Sequence, residues 1–125
     1  MDVNKYPVLT LAFVGDAHYG LIVKERVIDQ AVKITEIQKL ANKYISARAQ
    51  ARFTEYFLEN GIFTEEELEI YKRGRNAKSH KAPRNTDVVT YHVSTGFEAV
   101  WGYLYLSGNE TRLEQLWNII ETLGV

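Results

Sequence analysis

One apolar stretch near the start of the chain, residues 9–23, places the strongest constraint on the fold. It reads LTLAFVGDAHYGLIV and carries a single carboxylate, Asp16. A second stretch of the same kind, residues 94–106, reads STGFEAVWGYLYL and also carries a single carboxylate, Glu98. An ionised carboxylate in apolar surroundings costs roughly several kcal/mol unless a partner compensates it. We therefore expect two apolar helices that bring Asp16 and Glu98 together around a cation.

The length and composition predict one globular domain that comprises residues 1–125. A chain of 125 residues can bury one hydrophobic core, and 46% of these residues are hydrophobic. Because cysteine is absent, disulfides and thiolate metal sites are excluded, and we expect a cytoplasmic protein. We expect no signal peptide. Residues 9–23 are too short and too polar to span a bilayer, so no membrane partner is expected.

Helical spacing of apolar residues predicts an all-α fold. The first helix is expected to run from Pro7, in the first helical position, to about Ile28. Gly15 and Gly20 lie inside it, and each lowers the helix propensity by roughly 1 kcal/mol. That cost predicts a second backbone passing close to both glycines.

The middle of the chain contains two sequences that fit capping boxes, at residues 35–38 and 64–67. The first begins a helical pattern that ends at Asn60 and Gly61, either as one long helix or as two helices with a break near Ser46. The second begins a short helix to about Lys72. The remaining predicted elements are a loop over 73–86, a helix from about Asp87 to Leu106, a turn over 107–109 and a helix from Glu110 to Leu123.

The two carboxylates predict a site for a hard metal ion. Small or short residues stand beside each of them on its helix, namely Ala12 near Asp16 and Ser94 and Thr95 near Glu98. Oxygen ligands without a Cys or His partner favour Mg²⁺, with Mn²⁺ also possible. Such an ion can polarise a phosphate and activate water. The alternative is that Asp16 pairs with a core arginine or caps a helix, and that Glu98 is half exposed.

A concentrated positive block precedes the second apolar stretch. Residues 72–84 hold six basic side chains and no acidic one, whereas the whole chain has a net charge of -1. Basic, amide and hydroxyl side chains contact phosphates, and a loop would let them follow a nucleic-acid backbone. The alternative is a solvated surface loop. The predicted RNA contacts are Arg73, Arg75, Asn76, Lys78, Ser79, His80, Lys81 and Arg84.

Two further sets of polar residues receive structural interpretations. The three histidines do not fall at metal-ligand spacing, and His18 is expected to be a packed or rim residue. Four polar residues could form a face towards RNA, although a solvated helix face is favoured. These are Ser46, Arg48, Gln50 and Arg52.

The two apolar stretches resemble the ribonuclease III family. LAFVGDAHYGLIV is similar to the signature helix of that family's catalytic domain, and STGFEAVWGYLYL is similar to its second metal-binding helix. The segments YISARAQARF, KRGRNAK, PRNTDVVTY and STGFEA resemble in particular Mini-ribonuclease III, the branch that lacks a double-stranded-RNA-binding domain. The likeness covers nearly the whole chain.

The resemblance implies a homodimeric, Mg²⁺-dependent endoribonuclease that cleaves double-stranded RNA, with precursor large-subunit ribosomal RNA as the expected substrate. It assigns Asp16 and Glu98 as catalytic residues and metal ligands. The wider family also has acids where this chain has Ala12 and Thr95, so we expect a more hydrated ion. The alternatives are a non-catalytic RNA-binding dimer of the same fold and a helical protein-interaction module.

Dimerisation implies that apolar side chains of the signature helix are buried against a second subunit. The candidate side chains are Phe13, Tyr19, Ile22 and Val23.

Overall fold

The computed structural model describes residues 2–78 and 87–124, and these ranges contain helices and turns but no strand. The predicted all-α class is therefore confirmed. No helix in the described ranges is both long enough and apolar enough to cross a membrane. After a 3₁₀ turn at Val3–Lys5, the helices are α1 (Val8–Val27), α2 (Ile34–Ile45), α3 (Ala47–Glu59), α4 (Glu65–Asn76), α5 (Val88–Leu106) and α6 (Glu110–Leu123).

The two apolar helices, α1 and α5, pack against each other at the centre of the fold through glycines. A Cβ atom added to Gly15 would overlap the carbonyl oxygen of Glu98, and one added to Gly102 would overlap the carbonyl oxygen of Leu11. The prediction of a close backbone at Gly15 is therefore confirmed. At Gly20 it is wrong, because no atom lies within 4 Å of an added Cβ there.

An aromatic cluster fills the core around α1 and α5. The Tyr19 ring lies edge-on to Phe97 and Trp101, with ring centroids 4.9 Å and 5.0 Å apart. Its hydroxyl donates a hydrogen bond to the carbonyl oxygen of Tyr44 in α2, at 2.9 Å. Helix α6 closes the core with the apolar face that its sequence predicts. The buried residues of that face are Leu113, Leu116, Trp117 and Ile120.

The beginnings of the first two helices differ from the predictions, by one residue in α1 and by two in α2. Pro7 is the N-cap of α1 rather than its first helical residue. The predicted capping box at residues 35–38 is wrong, because α2 is already helical at Ile34 and Lys33 is its N-cap, without a side-chain bond. Thr35 therefore lies inside the first turn, where its hydroxyl cannot act as the cap.

Ser46 separates two helices, which answers the question that the sequence left open. Its hydroxyl oxygen accepts the backbone N–H of Ala49 at 3.2 Å and so caps α3. At the other end of α3, Gly61 adopts a φ of 60° as the predicted left-handed stop.

Helix α4 begins as predicted and ends later than predicted. Thr64 and Glu67 form the reciprocal capping box, each bond being 3.1 Å long. The helix then continues through Asn76, so the predicted loop is wrong at its first residues. The cause is tertiary packing, because Gly74 lies against α5. A Cβ atom added to Gly74 would be 2.9 Å from the Cβ of Ala99. Residues 79–86 of the predicted loop lie outside the described residues.

The later elements agree with the sequence. Asp87 caps α5 by accepting the backbone N–H of Thr90 at 2.8 Å. The turn after Leu106 and helix α6 also occur where they are predicted.

Two of the four candidate dimer contacts on α1 are excluded by burial. The side chains of Tyr19 and Val23 are 0% exposed, because they point into the core of the same subunit. Ile22 is partly buried, whereas Phe13 is 79% exposed. Only the last two can reach a second subunit.

The two glycines of α1 should respond oppositely to alanine. Gly15→Ala should lower the free energy of unfolding by about 1–3 kcal/mol or more, because its methyl group would force α1 away from α5. Gly20→Ala should raise it by up to about 1 kcal/mol, because only helix propensity changes there. Urea unfolding followed by circular dichroism measures both effects. Equal effects of the two substitutions would contradict the close α1–α5 packing.

Candidate active site

A cavity of about 420 Å³ opens where α1, α2, α3 and α5 meet. Both of the predicted carboxylates line it, one from each apolar helix. The other lining residues are small, apolar or uncharged polar side chains, so the acids supply its charge. The lining residues are Leu9, Ala12, Phe13, Asp16, Ile45, Ala47, Gln50, Tyr91, Ser94, Thr95 and Glu98.

The side chains of Asp16 and Glu98 come together in this cavity, as the sequence predicts. Asp16 is exposed, and Glu98 is partly buried. Burial raises the pKa of Glu98 to about 8, and the hydrogen bond and negative charge of Asp16 act in the same direction. Asp16 forms no salt bridge with a described residue and lies inside α1, so it neither pairs with a core arginine nor caps a helix.

The two positions where the wider family has further acids face the same cavity. Ala12 and Thr95 are both buried at its wall. The Thr95 hydroxyl donates to the carbonyl oxygen of Tyr91 at 3.1 Å, and Ser94 donates to the same oxygen at 2.7 Å. Both hydroxyl groups therefore donate their protons to the backbone of α5. Asp16 and Glu98 are the two acidic residues among those that line the cavity.

Gln50 of α3, which was predicted to lie on a polar helix face, lines the cavity instead. It is 2% exposed, and its side-chain Nε2 donates to the carbonyl oxygen of Ile45 at 3.0 Å and to Oε2 of Glu98 at 3.4 Å. One signal could have identified it. Gln50 lies three and seven residues before Phe53 and Phe57, which is the spacing of the buried face of α3.

The carboxylates of Asp16 and Glu98 are suitable ligands for a hard divalent cation. They are two in number, because no group of three His, Asp or Glu side chains that could bind a metal occurs among residues 2–78 and 87–124. The two carboxylates are oxygen donors that repel each other when both are ionised, and a divalent cation would relieve that repulsion. Residues Asp16 and Glu98 would hold it, with water completing its coordination.

The described part of the basic block lies beside α5. Arg73 and Lys78 are exposed. Arg75 lies over the Tyr71 ring, 5.6 Å from its centroid, and its Nε donates to the Asn76 side chain at 3.2 Å. The remaining predicted RNA contacts lie outside the described residues. They are Ser79, His80, Lys81 and Arg84.

His18 has the packed role that was expected of it. Its Nδ1 accepts a hydrogen bond from Nε1 of Trp101 at 2.9 Å, and its ring stacks on Tyr105 with centroids 4.0 Å apart. Burial lowers the pKa of His18, which favours the neutral ring that this hydrogen bond requires. His18 is not among the residues that line the cavity of the two carboxylates.

Comparisons with known proteins agree with this geometry. The sequence profile described as "Ribonuclease III domain" matches residues 9–109, a span that includes Asp16 and Glu98. The chain belongs to the ribonuclease III family. The crystal structure of a Fusobacterium nucleatum protein has a similar fold, with a TM-score of 0.85 and 28% identity over 97% of this chain and 96% of that one.

Within the ribonuclease III family, the curated relatives carry the name Mini-ribonuclease 3. The protein of Streptococcus pneumoniae is 49% identical over 117 residues, which are 93% of this chain and 91% of that protein. The protein of Staphylococcus aureus is 47% identical over 116 residues, which are 92% of this chain and 87% of that protein. These matches confirm the resemblance drawn from the sequence.

The raised pKa of Glu98 predicts a specific pH dependence of stability. In the presence of EDTA, the folded state holds a proton on Glu98 more tightly than the unfolded state does. This stabilisation is fully present below about pH 4.5 and is lost as the pH rises to about 8. Glu98→Gln should abolish this pH-dependent decrease in the free energy of unfolding, which is on the order of a few kcal/mol. Urea unfolding at several pH values between 5 and 8 measures the decrease.

The matched control for this measurement is Glu69→Gln, which changes an exposed glutamate on α4 and should keep the slope of the parent. An identical pH slope in the parent and in Glu98→Gln would contradict the burial of Glu98 beside Asp16.

Proposed function

We propose that this chain is an endoribonuclease that hydrolyses double-stranded RNA with the help of a divalent metal ion, Mg²⁺ or Mn²⁺. The observation that carries the proposal is the meeting of Asp16 and Glu98 in an open cavity of a ribonuclease III family member. The names of its relatives support ribonuclease activity. We further propose that residues 1–125 act as one catalytic domain.

The roles of the two acids follow from their positions. A bound divalent ion would polarise the scissile phosphate and make a bound water more acidic. Asp16 is exposed at the cavity, so a cation can reach its carboxyl group from solvent. Glu98 is more buried and must lose its proton to act as a ligand, so a bound cation would favour its ionised form by compensating the negative charge. The products would carry a 5′-phosphate.

The basic block is proposed to hold the RNA backbone beside this cavity. Its support is the contact of Gly74 with Ala99, which places the end of α4 against the turn of α5 that carries Glu98. Phosphate contacts of this kind bind a duplex without reading its sequence. The proposed contacts are Arg73, Arg75, Asn76, Lys78, Ser79, His80, Lys81 and Arg84.

The proposed natural substrate is precursor large-subunit ribosomal RNA. This part of the proposal is supported by the likeness to the Mini-ribonuclease III branch. Comparison of precursor and mature ribosomal RNA ends in cells with and without the protein tests it, and identical ends would exclude this substrate.

A homodimer is proposed on the basis of an apolar outer face of α1. Phe13, Leu21 and Ile28 lie within roughly 80° of one another around this helix and are 79%, 55% and 54% exposed. Ile34 of α2, 63% exposed, stands beside Ile28 in an apolar groove. Such a face is typical of subunit contacts. Sedimentation equilibrium tests the proposal, and a monomer at all concentrations would contradict it.

A second candidate function is a non-catalytic RNA-binding dimer. It is favoured by the residues Ala12 and Thr95, which stand where the wider family has acids. Cleavage of duplex RNA distinguishes the two functions directly.

Replacing the exposed acid should slow the reaction strongly. Asp16→Asn should lower the rate of duplex RNA cleavage in Mg²⁺ by about 100-fold or more, because one of two charged ligands is lost. A long RNA duplex with labelled ends measures the rate, and EDTA should stop the parent enzyme. A parent that binds duplex RNA without cutting it would support the non-catalytic alternative. An Asp16→Asn rate equal to that of the parent would exclude Asp16 as a catalytic residue.

Neutralising the described part of the basic block should weaken RNA binding in a salt-dependent way. The double substitution Arg73→Gln and Lys78→Gln should reduce the slope of log affinity against log salt by about 1 for each lost phosphate contact. Fluorescence anisotropy with a duplex RNA in Ca²⁺ measures the slope. The double substitution Lys33→Gln and Lys39→Gln, which also removes two positive charges but lies outside the block, is the charge-matched control. An unchanged slope in the double variant would contradict the proposed phosphate contacts and support the alternative that the block is a solvated surface segment.

A further inference from the structure

The side chain of Gln50 is an unusual occupant of the buried face of α3. Its neighbours on that face include Phe53 and Phe57, which are both 0% exposed. Gln50 itself is 2% exposed, and its Oε1 atom is buried without a hydrogen-bond partner among the described residues. A buried amide with an unpartnered oxygen lowers stability relative to an apolar side chain of similar size. Packing alone therefore does not account for glutamine at this position.

The orientation of the Gln50 amide is determined by its neighbours. The carbonyl oxygen of Ile45 can only accept a hydrogen bond, so the atom of Gln50 that lies 3.0 Å from it must be the nitrogen, Nε2. The second hydrogen of the same nitrogen is directed to Oε2 of Glu98, at 3.4 Å. The amide thus connects the last turn of α2 to the Glu98 carboxylate.

We propose that Gln50 is a positioning residue that holds the Glu98 carboxylate in place for a divalent cation. This proposal rests on the proposed function, because it takes Asp16 and Glu98 as the metal ligands. With only two carboxylates in the cavity, each must be oriented correctly for both to reach one ion. The backbone carbonyl of Ile45 anchors the amide, and the amide in turn fixes one oxygen of Glu98. Hydrogen bonds from such outer partners commonly determine how well a ligand binds its metal.

The test separates metal binding from stability. Gln50→Met keeps the length of the side chain but removes the donor to Glu98. Binding of Mn²⁺, measured by electron paramagnetic resonance of the free ion, should weaken by about 10–100-fold. The midpoint of thermal unfolding in EDTA should change little, because Met removes both the unpartnered oxygen and the hydrogen bond to the Ile45 carbonyl. Thr54→Val is the matched control, since Thr54 is 0% exposed on the same helix and its hydroxyl donates to the backbone carbonyl oxygen of Gln50. It should bind Mn²⁺ like the parent.

A second measurement leaves the chain unaltered. In the NMR spectrum of the parent, the side-chain amide signal of Gln50 should shift during Mg²⁺ titration with the same midpoint as ion binding. The amide of Gln30, which bonds the carbonyl oxygen of Arg26 at the end of α1, should not shift. This measurement tests the positioning role of Gln50 if Gln50→Met fails to fold, and an amide signal of Gln50 that does not shift would contradict that role.

The outcomes separate the two proposals. A parent that binds no Mn²⁺ would overturn the proposed metal site itself. A parent that binds Mn²⁺, together with a folded Gln50→Met that binds it equally well, would overturn only the positioning role of Gln50. Weaker binding in both Gln50→Met and Thr54→Val would also overturn it, because a general disturbance of α3 would then explain the loss.

Discussion

The close approach of α1 and α5 at Gly15 and Gly102 is the contact on which the rest of the structure depends. Neither glycine could carry a Cβ without overlapping a backbone carbonyl oxygen of the opposite helix. Gly15 directly precedes Asp16, and the oxygen that it faces belongs to Glu98. One backbone contact therefore brings the core helices together and also fixes how closely the two carboxylates meet. The glycines lower helix propensity, but the packing that they permit outweighs this cost.

The meeting of two acids has electrostatic consequences for the whole cavity. Burial and the charge of Asp16 keep a proton on Glu98 near neutral pH. Ala12 and the backbone-bonded hydroxyl of Thr95 add no charge that would increase the repulsion. Such a pair is unfavourable when both acids are ionised and becomes favourable when a cation lies between them. The arrangement is therefore better suited to binding an ion than to stabilising the fold.

A second glycine contact connects α5 to the basic segment. Gly74 of α4 packs against Ala99 and Gly96, and a Cβ added to Gly96 would lie 2.6 Å from the ring of Tyr71. Helix α5 is thus approached closely by α1 on one side and by α4 on another. The acid that it carries, Glu98, lies next to the residue that α4 contacts. This arrangement brings the described beginning of the positive block, at the end of α4, against the helix that carries Glu98, although the two are well separated in the sequence.

Much of the fold and the pair of acids could be predicted from the sequence, because both depend on local patterns. The spacing of Leu113, Leu116 and Ile120 predicts the buried face of α6, and a lone acid in each of two apolar helices predicts that the acids meet. The reciprocal cap of Thr64 and Glu67 is also a local signal. Helix propensity, capping and apolar spacing act within a few residues, so they are readable without the fold.

Only the tertiary structure decided which side chains face which partner. It buried Tyr19 and Val23 in the core of their own subunit, extended α4 through Gly74, and left Gly20 without a close neighbour. It also buried Gln50, which was expected on a solvated helix face, next to Glu98. Each of these outcomes depends on the distance between helices that are far apart in the sequence. The sequence by itself determined the helices and their acids, whereas packing between helices determined the shape and the membership of the cavity.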